Sequence, residues 1–372
     1  MFAPTVASLL LLSASAAVKA SPCVAFDINW NLLAFGLDGK DWFTGTQDTW
    51  SGSGQATDIT TTSRPTFDGT NTTCYLSQFT NAIYVLNGDS KNPSSIYIYD
   101  ATAKSWSTQA VTLGSFDTTS FDAILDHDTN VFYALSHGNL FSLDMGSLKA
   151  ANSTPVVWTD VEQAPYPSNY QPVMALAQNH VHFLDVPGVP AGSADIFVIH
   201  YSYFQPQSQA YPLPDGSTFP ATYGRATSFF QDSGVQQEFA FIPQDSSAVY
   251  VINVETNTTQ KLAGPTIKDP KTTYFASTNS LVQLSSNGTV SFLSYQEGNT
   301  SANAAASWSI VKPLLTSAPP STSSASASGT KTASGISSSG TSSGSTSGAL
   351  TASPIYAGLV LTALLGAMVY VL

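Results

Sequence analysis

The chain has 372 residues, of which 42% are hydrophobic and only 10% are charged, so it can bury a large apolar core. Acidic residues outnumber basic ones by 24 to 12, which gives a formal net charge of −12. Lysine and arginine form no cluster that could neutralise phosphates, so we expect no nucleic acid partner and interpret the acidity as a solubilising surface.

Residues 1–20 predict a secretory signal peptide. Residues 6–17 are apolar or small and too few to span a bilayer, and they lead into Val18-Lys19-Ala20. The small side chain of Ala20 predicts cleavage after this residue. We therefore expect the mature chain to begin at Ser21 and to fold in an oxidising compartment.

Cys23 and Cys74 are the only two cysteines. In an oxidising compartment, an even pair favours a disulfide over two free thiols. The bridge would close a loop of about 50 residues and contribute roughly 4 kcal/mol in the chain-entropy model. Because Cys23 lies near the start of the mature chain, the bridge would fix the N-terminal strand.

Short β-strands are predicted throughout residues 21–313. Residues 81–109 hold two apolar runs separated by a turn cluster and followed by Asp100 and Trp106, which is typical of three consecutive strands. The pattern recurs about every 50 residues, as expected for a four-stranded propeller blade. Several units close with an aromatic outer strand, marked by Trp50, Trp106, Trp158 and Trp308.

We therefore predict an all-β protein, a β-propeller of six four-stranded blades over residues 21–313. A seventh blade within residues 51–70 is left open. The other fold considered is a β-sandwich, which would show strands at shorter spacing without the longer period. The predicted first strands of the blades are residues 24–28, 75–76, 123–125, 173–177, 227–230 and 274–276.

One unit resembles a blade of the kelch-type propellers found in galactose-oxidase-like proteins. The resemblance lies in the apolar run at 83–86, Asn87-Gly88, Tyr99-Asp100 and Trp106, although the double glycine of that family is absent from every unit. Residues 131–158 match in part. The resemblance implies a propeller fold and suggests copper-radical oxidation as a possible activity. That chemistry needs a cysteine free to cross-link to a tyrosine, whereas both cysteines here are expected to form a disulfide. We predict no cofactor.

The C-terminal residues predict a stalk and an anchor. Residues 314–354 are almost wholly Ser, Thr, Gly, Ala and Pro, which predicts a disordered stalk that can carry O-linked sugar. Residues 355–372 are apolar, with no basic residue after them, which favours a glycosylphosphatidylinositol (GPI) signal over the alternative of a single membrane-spanning helix. A spacer of about 8–12 residues predicts attachment at Ser342, Ser343 or Gly344.

Five sequons predict N-glycosylation of the secreted chain, as in the surface and wall proteins that fungi attach by this kind of anchor. We expect a monomer outside the cell, attached through its lipid anchor to the plasma membrane or the cell wall. The sequons are at Asn71, Asn152, Asn257, Asn287 and Asn299.

Three histidines are the candidate metal ligands. His180 and His182 would face the same side of one strand, and His200 ends another strand of that unit. With nearby carboxylates they could hold a divalent ion, but a polar strand face is the favoured interpretation, so we predict no metal. Asp126-His127-Asp128 is likewise more typical of turn chemistry than of acid–base catalysis.

Two functions are compatible with these features. The first is a non-catalytic module that binds wall polysaccharide or a surface protein through one face of the ring, with exposed aromatics in residues 160–171 or at Tyr201 and Tyr203. The second is an extracellular carbohydrate-active enzyme, a hydrolase or oxidase, with carboxylates at the propeller centre. The absence of a catalytic motif favours the first. The candidate carboxylates are Asp27, Asp38, Asp122 and Asp185.

Overall fold

The computed structural model describes residues 20–317. The predicted signal peptide up to residue 19, the stalk beyond residue 317, the attachment residues Ser342, Ser343 and Gly344, and the tail at 355–372 lie outside these residues. The helices are α1 (Thr300–Ala305) and α2 (Lys312–Ser317). Within residues 20–317, no helix combines the length and apolarity needed to cross a bilayer.

The described residues form six blades, and the strands of each antiparallel blade follow chain order from the centre outward. In blades 1 to 3 the strands are β1 (Cys23–Phe26), β2 (Leu32–Leu37), β3 (Lys40–Phe43) and β4 (Thr57–Asp58); β5 (Thr73–Ser77), β6 (Ala82–Leu86), β7 (Ile96–Asp100) and β8 (Ser105–Gln109), followed by the linking strand β9 (Val111–Thr112); and β10 (Asp122–Asp126), β11 (Val131–Ser136), β12 (Asn139–Asp144), β13 (Val156–Val157, paired with β9) and β14 (Thr159–Gln163).

Blades 4 to 6 repeat this arrangement, and blade 4 carries one additional short strand on its third strand. The strands are β15 (Met174–Ala177), β16 (His180–Phe183), β17 (Ser193–Val198), β18 (Tyr203–Phe204) and β19 (Gln209–Ala210); β20 (Gly224–Ser228), β21 (Glu238–Pro243), β22 (Ala248–Asn253) and β23 (Thr258–Ala263); and β24 (Thr273–Ala276), β25 (Ser280–Leu284), β26 (Val290–Ser294) and β27 (Ser309–Ile310).

The first strands of the blades lie side by side around a central axis, and β1 lies beside β24, so the ring is closed. The second strands are almost wholly buried, because each blade covers the face of its neighbour. The prediction of an all-β, six-bladed propeller is confirmed. Residues 51–70 hold only β4, which belongs to blade 1, and add no seventh blade.

Blade 1 and blade 6 exchange no strand, because the four strands of each come from one continuous part of the chain, β1–β4 and β24–β27. The segment after β27 instead crosses onto blade 1. The Lys312 N–H donates to the Trp50 carbonyl at 3.0 Å, and the Ala56 N–H donates to the Pro313 carbonyl at 3.3 Å. Leu314 is buried in the same core cluster as Trp50, so the packed chain continues past residue 313, where the stalk was predicted to begin.

The predicted disulfide is confirmed. Cys23 and Cys74 are bonded, with their Cα atoms 5.8 Å apart. Because Cys23 lies on β1 and Cys74 on β5, the bond joins the innermost strands of blades 1 and 2.

Tryptophans hold neighbouring blades together. Trp106 of β8 donates its indole N–H to Asp41 of blade 1 at 3.2 Å. The prediction that Trp50 marks an outer strand was wrong, since β4 occupies that position. Trp50 follows a short 3-10 turn at Gln47–Thr49 and is fully buried, because its ring fills the space between Phe26 and Phe292 of blades 1 and 6.

Candidate functional site

A narrow cavity of about 160 Å³ lies on the ring axis. Every first strand lines it, so it is the central channel of the propeller. Since the six first strands run in the same direction, the ring has two distinct faces. We call the face where these strands begin the upper face, and the face where they end the lower face. The contributing side chains include Val24, Leu76, Ile124, Leu176, Thr227 and Phe275.

Phe230 closes the lower end of the channel. It follows β20 at the lower face, and its ring lies 5.4 Å from that of Trp30 in blade 1, 6.4 Å from that of His127 in blade 3 and 6.1 Å from that of Phe275 in blade 6, measured between centroids. The sequence pattern predicted a first strand over residues 227–230, but β20 ends at Ser228. Phe230 therefore lies outside the strands of blade 5, and its ring covers the lower end of the channel.

A wider cavity of about 420 Å³, the upper pocket, lies at the upper face. It is formed by the segments that precede the first strands of blades 2 to 5 and by loops between second and third strands. Its lining is rich in hydroxyl, amide and phenol groups. The upper pocket and the channel share Thr73, Tyr75, Asp122 and Arg225, so together they form a funnel that is open above and closed below by Phe230.

Asp122 is the carboxylate at the junction of pocket and channel. Its Oδ2 accepts a hydrogen bond from the Met174 N–H at 3.0 Å, and its Oδ1 accepts one from the Ala123 N–H, also at 3.0 Å. Burial raises the pKa of Asp122 to about 6, although the Met174 N–H and the positive charge of Arg225 act in the opposite direction. A carboxyl group with a pKa near 6 can give or take a proton close to neutral pH.

Arg225 is the one lysine or arginine among the residues that line the two cavities. Its guanidinium carbon lies 5.6 Å from the centre of the Tyr223 ring. No carboxylate within residues 20–317 forms an ion pair with Arg225, and its buried Nε has no hydrogen-bond partner there. The charge of Arg225 acts on the neighbouring Asp122, but a partly buried guanidinium that forms no ion pair can still donate to an acceptor that enters the funnel.

One threonine hydroxyl in the channel also lacks a hydrogen-bond partner. The Oγ1 atom of Thr273 is buried and has no partner in the described part of the chain, whereas the Thr73 hydroxyl bonds to that of Tyr75. Folded proteins pair the large majority of their buried polar atoms, so an unpaired hydroxyl and an unpaired guanidinium N–H that line the same channel indicate a cavity built to hold polar groups.

A histidine–aspartate pair lies at the rim. His137 lines the upper pocket, and its Nε2 lies 2.8 Å from Oδ2 of Asp117. Hydrogen bonds from Thr119 to Asp117, together with the His137 contact, lower the pKa of Asp117 to about 2. The contact with Asp117 holds the His137 ring at the rim of the upper pocket.

The three candidate metal ligands do not form a metal site. His182 is buried beside Phe239 and Tyr211, and burial lowers its pKa to about 3. His200 is exposed and its Nε2 lies 3.3 Å from Asn179. His180 is half-buried on the same strand as His182. Among residues 20–317, no group of three or more His, Cys, Asp or Glu side chains could hold an ion.

The other predicted carboxylates lie away from the funnel. Asp27 accepts hydrogen bonds from Asn29 and Asn31 in the turn after β1. Asp38 lies in the turn between β2 and β3, and Asp185 follows β16; neither lines the upper pocket or the channel. Of the four candidate carboxylates, only Asp122 faces the axis.

Asp126 has the turn chemistry that the sequence favoured. Its carboxylate accepts hydrogen bonds from the Asp128 N–H at 3.3 Å and the Thr129 hydroxyl at 2.6 Å.

The predicted aromatic surface is only partly exposed. Tyr201 and Tyr203 are 80% and 44% exposed. Residues 160–171 do not form the expected loop of free aromatics, because β14 takes their first part and Tyr166 is buried against Phe183. Tyr170 lines the upper pocket while its hydroxyl donates to the Leu184 carbonyl at 2.6 Å.

The sequons lie at turns and loops, and glycosylation at each of them stays a prediction. Four of the asparagines are exposed, whereas Asn299 is half-buried and accepts a hydrogen bond from the Ala302 N–H at the start of α1. Asn71 lines the upper pocket, so a glycan there would stand at its rim. The exposed four are Asn71, Asn152, Asn257 and Asn287.

Arg225 and Phe230 are the residues that sequence analysis missed. Neither belongs to a motif. The one signal available was the scarcity of arginine in a chain with 12 basic residues, together with the position of Arg225 at the start of a first strand.

No family model and no curated protein sequence matches this chain. Among solved structures, it is similar to YjhT, with 11% identity, coverage of 78% of this chain and 97% of that chain, and a TM-score of 0.49. It is also similar to a chain of the nidogen/laminin complex, with 10% identity, coverage of 65% and 79%, and a TM-score of 0.41. These values carry no functional argument, so the propeller assignment rests on the strand topology.

Proposed function

We propose that this protein is a cell-surface glycoprotein whose propeller binds wall polysaccharide, without catalysis, through the upper pocket and the channel. The observation that carries the proposal is the funnel, a polar pocket of about 420 Å³ that leads into a blind channel of about 160 Å³. Binding pockets for small molecules have volumes of about 300–1,000 Å³. A cavity of about 150 Å³ accommodates a benzene-sized ring, and a sugar ring with its hydroxyl groups is larger, so a bound sugar would lie partly in the channel and partly in the upper pocket.

The lining of the funnel suits a saccharide. Tyr170 and Tyr223 supply aromatic surface, and Ser120, Asn169 and Gln171 supply hydroxyl and amide groups. Sugars need both, because their C–H faces pack on aromatic rings while their hydroxyl groups exchange hydrogen bonds.

The sequence supports a location at the cell surface. The signal peptide, the sequons, the Ser/Thr-rich stalk and the GPI signal together predict a secreted chain that a lipid holds at the plasma membrane or wall. The kelch-like pattern of residues 81–109 supports a relation to kelch-type propellers. Phosphatidylinositol-specific phospholipase C applied to intact cells should release the protein. Retention would favour a membrane-spanning helix.

Binding is tested by blocking each face of the ring in turn. The purified protein, Asn169→Trp and Ser233→Trp are compared in pull-downs with insoluble wall polysaccharides and on a glycan array. Asn169 is exposed at the rim of the upper pocket, and Ser233 is exposed in the loop at the lower face. We expect Asn169→Trp to lose binding at least tenfold and Ser233→Trp to retain it. Equal binding by both variants, or capture of a surface protein but no saccharide, contradicts the proposal.

One observation favours a second function, that of a carbohydrate-active enzyme. His137, which pairs with Asp117, and Asp122, whose pKa is about 6, line the same upper pocket. The test is whether the protein releases reducing sugar from a bound polysaccharide. If it does, and if Asp122→Asn abolishes the release while binding persists, the protein is an enzyme and not a non-catalytic binding module.

A further inference from the structure

The charge at the junction of the upper pocket and the channel restricts what can bind there. Arg225 brings the only lysine or arginine charge among the lining residues, and no carboxylate of residues 20–317 pairs with it. Asp122 lies close enough for the charge of Arg225 to act on its pKa, but it forms no ion pair with Arg225, and its two oxygens accept backbone hydrogen bonds from Ala123 and Met174. Arg225 lines both cavities, and its Nε has no hydrogen-bond partner among the described residues, so it can donate to a ligand there.

Arg225 is held in a position that suits a planar anion. Its guanidinium carbon is 5.6 Å from the Tyr223 ring centre, and its Nε is buried without a hydrogen-bond partner among the described residues. A guanidinium presents parallel N–H groups that match the two oxygens of a carboxylate.

The groups around Arg225 favour a sugar over an acidic side chain. The channel also presents the unpaired hydroxyl of Thr273 and the phenol groups of Tyr75 and Tyr274. The carboxylate of a glutamate can accept hydrogen bonds from Arg225 and from one of these hydroxyls, but that side chain carries no further polar group. A sugar acid offers a carboxylate together with a ring of hydroxyl groups, so it can engage all of these donors and acceptors at once.

We infer that the ligand is an acidic saccharide, and that Arg225 binds the carboxylate of a sugar acid whose ring lies at the junction of the upper pocket and the channel. This inference rests on the proposed polysaccharide-binding function. The formal net charge of −12 gives the protein no long-range attraction for a polyanion. The preference for an acidic sugar must therefore come from the short-range contact with Arg225.

The test uses two oligosaccharides of the same length and linkage, one of galacturonic acid and one of galactose, titrated calorimetrically into the purified protein. They differ only in the carboxylate. We expect the wild type to bind the acidic one at least tenfold more tightly. Arg225→Gln should weaken acidic binding roughly ten- to a hundredfold, as for a lost hydrogen bond to a charged group, and leave neutral binding within about twofold. The affinity of Arg225→Lys for the acidic oligosaccharide should lie between those of the wild type and Arg225→Gln.

Lys149→Gln is the matched control, because Lys149 is exposed and lies outside both cavities. It should bind both sugars like the wild type. Circular dichroism and the melting temperature confirm folding, and if Arg225→Gln fails to fold, Arg225→Lys supplies the comparison.

The outcomes separate the two proposals. If both sugars bind equally, Arg225→Gln changes nothing and Asn169→Trp abolishes binding, the acidic-ligand inference is overturned and the polysaccharide function stands. If neither these sugars nor any wall polysaccharide binds, both are overturned. If polyglutamate binds through Arg225 and no saccharide does, the ligand is an acidic peptide and the sugar assignment is wrong.

Discussion

Asp122 Oδ2 accepts a hydrogen bond from the Met174 N–H at 3.0 Å, across the boundary between blades 3 and 4. A bond of the same kind joins blades 4 and 5, where Ser228 Oγ accepts a hydrogen bond from the Leu176 N–H at 3.0 Å. Neighbouring first strands belong to different sheets, so side chains rather than ladder hydrogen bonds connect their backbones. The carboxylate at the funnel junction therefore also holds the ring together.

Replacing Asp122 by asparagine should change how stability depends on pH. Burial raises the pKa of this carboxyl from 3.8 to about 6, so the folded protein binds the proton more tightly than the unfolded chain does. The stabilisation is fully present below about pH 4 and is lost as the pH rises through 6. Relative to Asp122→Asn, the wild type should lose about 2.4 kcal/mol of unfolding free energy between pH 4 and 7.

Urea unfolding at intervals from pH 4 to 7 measures this difference. Asparagine keeps an oxygen for the Met174 N–H, so the variant should fold. Asp232→Asn, at an exposed residue of the lower face, should follow the wild-type curve. Parallel curves for the wild type and Asp122→Asn would show that Asp122 titrates at its ordinary pKa.

Loss of the disulfide should destabilise the propeller by about 4 kcal/mol, the chain-entropy value for a loop of this length. Cys23 and Cys74 are 51 residues apart and join the first strands of blades 1 and 2. The double variant Cys23→Ser/Cys74→Ser should show the loss in chemical unfolding. A reducing agent should lower the stability of the wild type toward that of the variant and leave the variant unchanged. Equal stability of the two oxidised proteins would contradict the expectation.

The fold could be predicted because its signal is periodic. Every predicted first strand overlaps an observed one, since short β-branched and aromatic runs recur with each blade. The disulfide could be predicted because the chain has two cysteines and was expected to fold in an oxidising compartment. Trp50 was misplaced because an aromatic residue at the right interval can fill a gap between blades without lying on a strand.

The funnel could not be predicted, because its residues come from blades that are distant in sequence. Arg225 and Asp122 are brought together only by closure of the ring, and no local pattern marks either residue. Asp122 was one of four candidate carboxylates that spacing could not separate. Phe230 was predicted to end a strand, and its contacts with blades 1, 3 and 6 form only once the ring has closed.

Arg64→Met should destabilise the protein by about 3 kcal/mol, because removal of one partner leaves a buried charge uncompensated. Arg64 Nη2 lies 2.9 Å from Oδ1 of Asp41, whose side chain is fully buried. Methionine preserves much of the apolar packing on Phe67 and removes the charge.

Lys40→Ala is the control for Arg64→Met. Lys40 Nζ lies 2.8 Å from Oδ2 of Asp58, but both side chains of this ion pair are exposed. Exposed pairs contribute about 0–1 kcal/mol. Thermal and urea unfolding of the two variants should therefore differ clearly, and a cost of less than 1 kcal/mol for Arg64→Met would refute the importance of this buried pair.

Phe230→Ala should open the lower end of the channel. Its ring contacts Trp30, His127 and Phe275, so truncation should cost about 2 kcal/mol, less than the roughly 3–5 kcal/mol of a fully buried phenylalanine. Phe79→Ala is the matched control, because Phe79 lies in a turn at the same face and is 64% exposed. Its stability should stay within about 0.5 kcal/mol of the wild type. A channel open at both ends should also bind a saccharide more weakly, because water then reaches the buried ring from below. Unchanged stability and unchanged affinity in Phe230→Ala would mean that Phe230 does not close the funnel.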